Sequence, residues 1–168
     1  MDPDWPCFRI PEMSIYGRVS QGALLLGGWE RVGQSMDPRQ LQAKGSAPAI
    51  RTDWGVLLRF ERDFSRLAPK VLGAQKAKVA KGWPTFTPDG RFVIGESAQR
   101  SGLIFAVGCN AHGISGSAGI GSLLLESILA ETPSDYVASL SPNRFNHFQN
   151  WAEVLKLSRA VYENYYQT

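Results

Sequence analysis

The stretch SGLIFAVGCNAHGISGSAGIGSLLLESILA, residues 101–130, decides how this chain is read. Leu103 to Val107 is a short apolar run rich in strand formers, and Gly108 stops it. Gly113, Gly116, Gly119 and Gly121 follow, with Ser115 and Ser117 between them. Ile120, Leu123, Leu124, Ile128 and Leu129 then recur at intervals of three and four, a helix period. The expectation is strand, glycine-rich turn, helix N-terminus. Small residues let a ligand approach the backbone, and the first helical turn presents unpaired N–H groups and a positive dipole end. Between Gly102 and Leu125 the only side chain able to carry charge is His112, so no carboxylate neutralises that end. Such a place suits a phosphate or the electron-rich edge of a cofactor ring.

Two other readings compete. One is close packing of a helix on a strand. The other is a dinucleotide fingerprint, which fits poorly. Leu124 stands where its last glycine belongs, the Gly119–Gly121 pair lies well inside the connection, and no acidic residue ends a strand about 20 residues on.

The 168 residues predict one domain by length, and 43% apolar content is enough for a core. Ten prolines and 17 glycines imply many turns. The net charge is +3, with lysines clustered at 70, 76, 78 and 81. No aromatic residue interleaves with them, so they read as a solvated basic face and not as a nucleic-acid track. Cys7 and Cys109 make neither a disulfide framework nor metal-ligand spacing. No apolar run is long enough to span a membrane. The opening MDPDWPCFRIPEM has the form of neither a signal peptide nor a transit peptide.

Met1 to Met13 reads as extended. Ser14 to Ser20 and Ala23 to Glu30 form an expected hairpin around the Gln21-Gly22 turn. Gly27-Gly28 ends or bulges it and allows close approach. Arg31 to Ala49 is an expected surface loop. Arg51 to Pro69 is an expected helix, capped by Thr52 or Asp53, with Trp54, Leu57, Leu58, Phe64, Leu67 and Ala68 inward and Arg59, Glu61, Arg62, Asp63 and Arg66 toward water. Lys76 to Lys81 alternates like an exposed strand. Thr87-Pro88-Asp89-Gly90 is a strong turn signal, and Arg91 to Ile94 is a strand closed by Gly95. Thr132 to Pro142 reads as a loop. A last helix would place Trp151, Val154, Leu155, Ser158, Tyr162 and Tyr165 on one face. The order is mixed α and β.

In sequence, GWPTFTPDGRFVIGES, GLIFAVGCNAHGISGSAGIGSLLLESIL and LSPNRF resemble the C-terminal part of the catalytic domain of FAD-dependent amine oxidoreductases, the D-amino-acid oxidase superfamily. Within it the similarity is to the sarcosine and dimethylglycine dehydrogenase group and the related pyruvate dehydrogenase phosphatase regulatory subunits. SIYGRVSQGALLLGGWE resembles the hairpin of that family's substrate domain, and AEVLKLSRAVYENYY the segment leading toward a folate-binding domain. The resemblance runs from about Phe8 to Tyr166. It implies an α+β (mixed α/β) fold: a substrate-domain sheet portion plus the last strand-helix unit of an FAD-binding domain, lacking the N-terminal Rossmann half with its phosphate turn and the histidine that some members attach to flavin. One partial domain over 1–168 follows, with 1–81 the substrate-domain hairpin and helix, 82–131 the flavin-facing strands and helix start, and 132–168 a C-terminal extension. The chain then reads as a fragment or truncated product.

What the resemblance implies about chemistry is hydride transfer from a small N-methyl amino acid, sarcosine- or dimethylglycine-like, to FAD, with an electron acceptor it does not identify. Asn110, Ala111, His112, Gly113 and Ile114, with the helix starting near Ser115, would face the N1 and C2=O edge of the ring, where reduction places negative charge. Gly108 joins that set, and Gly82, Pro84 and Thr85 would pass near the ring's edge. Tyr16 matches a substrate-pocket tyrosine and is the catalytic and substrate-binding candidate. Arg18 is a carboxylate partner if the strand is regular. Each has a plainer alternative: Tyr16 on a half-buried strand, His112 a solvated turn residue, Trp29 and Trp83 pocket wall or core. Asp89 reads as a turn residue and Arg144 as an anchor for the C-terminal segment. No metal, nucleic acid or membrane span is expected. FAD would bind this chain alone only weakly, a missing N-terminal half is an expected partner, and the family points to the mitochondrial matrix. The competing function is a non-catalytic regulatory or truncated member of the same fold.

Overall fold

A computed structural model of the chain describes residues 4–40 and 51–165. Residues 1–3, 41–50 and 166–168 lie outside it, and with them parts of the expected N-terminal extended stretch and of the Arg31–Ala49 loop. The described residues fall into two compact units, 4–33 with 38–40, 51–82 and 163–165, and 34–37 with 83–162.

In the first unit, β1 (Phe8–Ile10), β2 (Ile15–Ser20) and β3 (Ala23–Gly28) form an antiparallel sheet in that order. Gln21 and Gly22 turn between β2 and β3 at φ 52° and 76°, the left-handed pair that a type I′ hairpin needs. Along β2, Ile15 and Gly17 are buried while Tyr16 and Arg18 are exposed, the period-two signature of a half-covered sheet. β1 was not expected as a strand: three residues between prolines carry little periodicity, and its partner β2 recruits it.

The covering element is α1 (Trp54–Ser65). The Asp53 carboxylate caps it, accepting from the Val56 amide at 3.1 Å. Phe60 and Phe64 pack with Ile15 as the core, and the Phe64 ring stacks on Phe8 at 5.1 Å. The inward face differs from the expected one. Trp54, Leu58 and Leu67 are exposed, and Glu61 is buried. Helix geometry gives part of the reason: at about 100° per residue, the stripe through Phe60 and Phe64 is turned by roughly 80–160° away from Trp54 and Leu58. Glu61 tolerates burial because it pairs with Lys76 Nζ at 2.5 Å and accepts from the Gly73 amide. The Lys76 hydrogen bond, ahead of the Gly73 amide, holds its carboxyl below the usual range against the opposing cost of burial. The expected strand over Lys76–Lys81 does not form. Lys76 is drawn onto α1, Lys81 donates to Thr52 Oγ1 at 2.8 Å, and among the described residues the segment pairs with no strand.

In the second unit, β4 (Val93–Glu96) and β5 (Ile104–Val107) form an antiparallel hairpin. α2 (Ser117–Leu129) follows. The expected loop 132–142 contains a short helix, α3 (Asp135–Ala138), started by the Ser134 hydroxyl, which accepts from the Val137 amide. A single turn is too short to show a period, so the sequence could not reveal it. α3 carries Val137 into the core beside Ile94 and Leu140, and the Ile94 amide donates to Leu140 O at 3.0 Å. α4 (Trp151–Glu163) half-buries Val154, Leu155, Ser158 and Tyr162 as expected, with Trp151 exposed. The Tyr162 ring meets Phe86 edge to face at 5.3 Å.

Candidate functional site

The site grows from the end of β5. Gly108 has φ 69°, and a Cβ there would lie 2.6 Å from the Thr87 methyl. Cys109 to His112 then form a tight turn, closed by the His112 amide donating to Cys109 O at 2.7 Å. Its central residues, Asn110 and Ala111, stand at φ 45° and 63°. Asparagine visits this region with modest cost, but alanine does so rarely. Gly116 and Ser117 amides return to His112 O and Ile114 O, and α2 begins.

Among the described residues, the amides of Gly113, Ile114 and Ser115 donate to nothing. The same holds for Ala118 and Gly119 in the first turn of α2. No carboxylate lies near them in sequence. Glu126, the first acidic residue after the turn, is held below its usual pKa by the Ser134 hydroxyl and the Ser134 amide, the latter at 2.7 Å. A Cβ built on Gly119 or Gly121 would meet no atom within 4 Å. Those two glycines are therefore not demanded by helix-on-strand packing within the chain. Gly108 and Gly116 of the turn do pack closely, against Thr87 and against Phe92, so open space and free donors coincide only at the start of α2.

The remaining candidates are placed as follows. Ile114 is 95% exposed and Ala111, His112 and Ser115 are exposed, while Gly108 and Asn110 are buried. Pro84 and Thr85 are exposed on the coil leading to the Thr87–Gly90 turn. Beside them, the Trp83 indole N–H is buried and finds no acceptor among the described residues. The structure brings the 84–87 coil and the 108–115 turn together through one side chain. Asn110 Oδ1 accepts from the Thr87 amide at 2.9 Å, and its Nδ2 donates to Gly108 O at 2.6 Å. Thr87 was not singled out from sequence. The available signal was a Thr opening a Pro-Asp-Gly turn and an Asn just after the glycine stop, but nothing in either says that they meet.

Tyr16, Arg18 and Gly82 belong to the first unit. β2 is regular, so Tyr16 and Arg18 share its exposed face. The Tyr16 ring lies over Gly27, where a Cβ would come 2.5 Å from it, so what approaches the Gly27 backbone is the chain's own tyrosine. Trp29 packs on Tyr165 at 4.8 Å.

Asp89 and Arg144 take the plainer roles. Arg144 reaches Asp89 with Nε to Oδ2 at 2.8 Å and Nη2 to Oδ1 at 3.2 Å, and also donates to Phe92 O and Leu140 O. Asp89 further accepts from the Arg91 amide at 3.1 Å, closing its own turn. Burial alone would raise the Asp89 pKa, but the Arg144 guanidinium and the Arg91 amide outweigh it and hold the carboxyl low. Among the described residues no cluster of three potential metal ligands occurs, and no helix is long and apolar enough to cross a membrane.

The family described as FAD dependent oxidoreductase matches residues 1–127. Among characterised proteins, 4-methylaminobutanoate oxidase (formaldehyde-forming) of Paenarthrobacter nicotinovorans is 29% identical over 154 residues, covering 92% of this chain and 19% of that protein. The mitochondrial pyruvate dehydrogenase phosphatase regulatory subunit of Mus musculus is 29% identical over 140 residues, covering 81% of this chain and 15% of that protein. Mitochondrial sarcosine dehydrogenase of Mus musculus is 25% identical over 142 residues, with 84% and 15% covered. The chain thus spans less than a fifth of the length of these three relatives. No solved structure matches.

Proposed function

The chain belongs to the FAD dependent oxidoreductase family, and on that premise we propose that it is the substrate-domain and flavin-facing portion of an amine oxidoreductase acting on a small N-methyl amino acid. The observation that carries this reading is the row of amides from Gly113 to Ser115, continued at Ala118 and Gly119, that have no partner among the described residues, in an uncharged turn that leads into α2, where a Cβ on Gly119 or Gly121 would meet nothing within 4 Å. When bound, FAD supplies a two-electron acceptor for the C–H next to the amine nitrogen. The residues of this chain would do the rest. The amides of 113–115 would hold negative charge at the N1 and C2=O edge, and charge held by fixed donors costs little reorganisation. Gly82, Pro84, Thr85 and Gly108 would border the ring, with Asn110 to Ser115 beneath its edge. Tyr16 would hydrogen-bond the substrate, and Arg18, on the same strand face, would pair with its carboxylate.

This reading requires a nucleotide-binding half as partner, to cradle the pyrophosphate and adenine of FAD. The apolar, unburied α2 supports it, since a surface of that kind is suited to being covered. The mitochondrial matrix is the proposed compartment, two relatives being mitochondrial proteins. The test is spectroscopic. A longer protein that contains this chain and a nucleotide-binding half should carry flavin absorbance that bleaches on adding sarcosine or dimethylglycine. A flavin-free protein refutes the proposal. The isolated chain should bind FAD more weakly than micromolar, below about 8 kcal/mol.

A second reading, a non-catalytic regulatory or truncated member of the family, is favoured by one observation: a regulatory subunit shares the same 29% identity with the chain as an oxidase does, over a somewhat shorter stretch. It predicts flavin that does not bleach with any amine, or no flavin at all.

A further inference from the structure

We infer that Asn110 is a positioning residue, which holds the 84–87 coil and the amide-bearing 108–115 turn in one fixed arrangement. Its side chain is not a flavin contact: the residue is 3% exposed and its polar atoms are already taken. The orientation of its carboxamide is forced. Oδ1 faces the Thr87 N–H and Nδ2 faces Gly108 O, and the flipped amide would set donor against donor and acceptor against acceptor. The Thr87 hydroxyl has one proton, which goes to Arg91 O at 2.9 Å more favourably than to Asn110 Oδ1 at 3.3 Å. The clasp therefore depends on the Thr87 backbone amide and not on its hydroxyl.

What the clasp maintains is a costly backbone. Ala111 at φ 63° lies in the left-handed region, where its Cβ crowds the backbone, and such a conformation persists only where its surroundings over-determine it. Two restraints meet there, the Asn110 clasp and the His112 amide bond to Cys109 O. Releasing Asn110 removes the restraint that ties the turn to the 84–87 coil. The direction of the Gly113–Ser115 amides follows from the turn, so it follows from Asn110. The same side chain fixes the distance between this turn and the Pro84–Thr85 stretch. Its bearing on flavin rests on the reading under Proposed function. The clasp itself does not.

The experiment is amide hydrogen exchange on the whole 168-residue chain without cofactor, for Asn110→Ala, Asn110→Asp and Thr87→Val. In Asn110→Ala, exchange at His112 and Gly116 should quicken at least tenfold while Ile94, in β4, changes by less than threefold. Asn110→Asp should fall between, because its carboxylate still accepts from Thr87 but repels Gly108 O. Thr87→Val should leave His112 within about twofold of the wild type. Uniform quickening that includes Ile94, or quickening in Thr87→Val equal to that in Asn110→Ala, overturns the inference. If Asn110→Ala does not fold, the ordering of the other two against the wild type decides the matter. In a flavin-loaded longer protein, Asn110→Asp should lower the flavin midpoint potential by weakening support for the anionic reduced ring. An unmoved potential beside localised exchange would overturn the flavin reading and leave the clasp standing.

Discussion

Asp89 shows how a residue beside a suspected site earns a structural role. The Pro-Asp-Gly turn was legible, and so was the idea that Arg144 anchors a later segment. Their direct pairing across 55 positions was not, because nothing local encodes it. The fork between them has a pH consequence. The folded Asp89 carboxyl is held below the ordinary range of an aspartate, so the folded state binds fewer protons than the unfolded one in that pH range. Its contribution is present above the unfolded pKa and is lost as pH falls through the lower folded value. Thermal melts of the second unit, followed by near-ultraviolet dichroism, should therefore weaken below about pH 4. Asp89→Asn should flatten that limb and cost about 1 kcal/mol at neutral pH, the pair being partly open to water. Glu61, lowered chiefly by Lys76, adds dependence of the same sign in the first unit. An Asp89→Asn melt with an unchanged acid limb would contradict this account.

At the scale of elements, what the sequence revealed depends on how much period each element had room to display. The β2–β3 hairpin, α1 and α4 each span two or more repeats, and their positions were readable within a few residues. β1 and α3 are three and four residues long and exist because β2 and the Ile94–Leu140 core recruit them. The inward face of α1 was misread because Trp54 and Leu58 carry more apolar weight than Glu61, and only the fold supplies Lys76 to neutralise that carboxylate. The candidate site was legible as a turn but not as a clasp: glycine spacing marks where backbone is exposed, yet Thr87 and Asn110 meet across 23 residues. Two elements invite direct tests. Asp53→Ala should destabilise the first unit by about 1 kcal/mol through loss of the α1 cap. Gln21→Asn should stabilise it by a few tenths of a kcal/mol, since asparagine suits the left-handed first position of the hairpin turn. Urea titrations of the two variants check both, and equal midpoints would count against the geometry described.

At the scale of the molecule, the second unit leaves more apolar surface open than its own residues cover. α2 is thirteen residues of mostly apolar sequence, and none is buried. Leu129 is 74% exposed, Leu125 58%, and Ile104 and Val107 on β5 are exposed as well. The core of this unit meanwhile rests on a few side chains, Ile94, Val137 and Leu140 among them. Patches this apolar mark surfaces made for something else to cover. The chain alone should therefore bind an apolar fluorescent dye and associate at micromolar concentration. Leu125→Lys with Leu129→Lys should suppress both by well over half, as light scattering and dye titration would record. The melting temperature should hardly move, because these side chains contribute little burial to lose. Leu140→Ala is the contrast: its side chain is 1% exposed, and its loss should cost about 2–5 kcal/mol while leaving dye binding to the folded state unchanged. Joining the chain to a nucleotide-binding half should abolish dye binding as the lysine pair does. If the lysine pair instead lowers the melting temperature as far as Leu140→Ala, α2 is part of the chain's own core, and the requirement for a covering half falls with it.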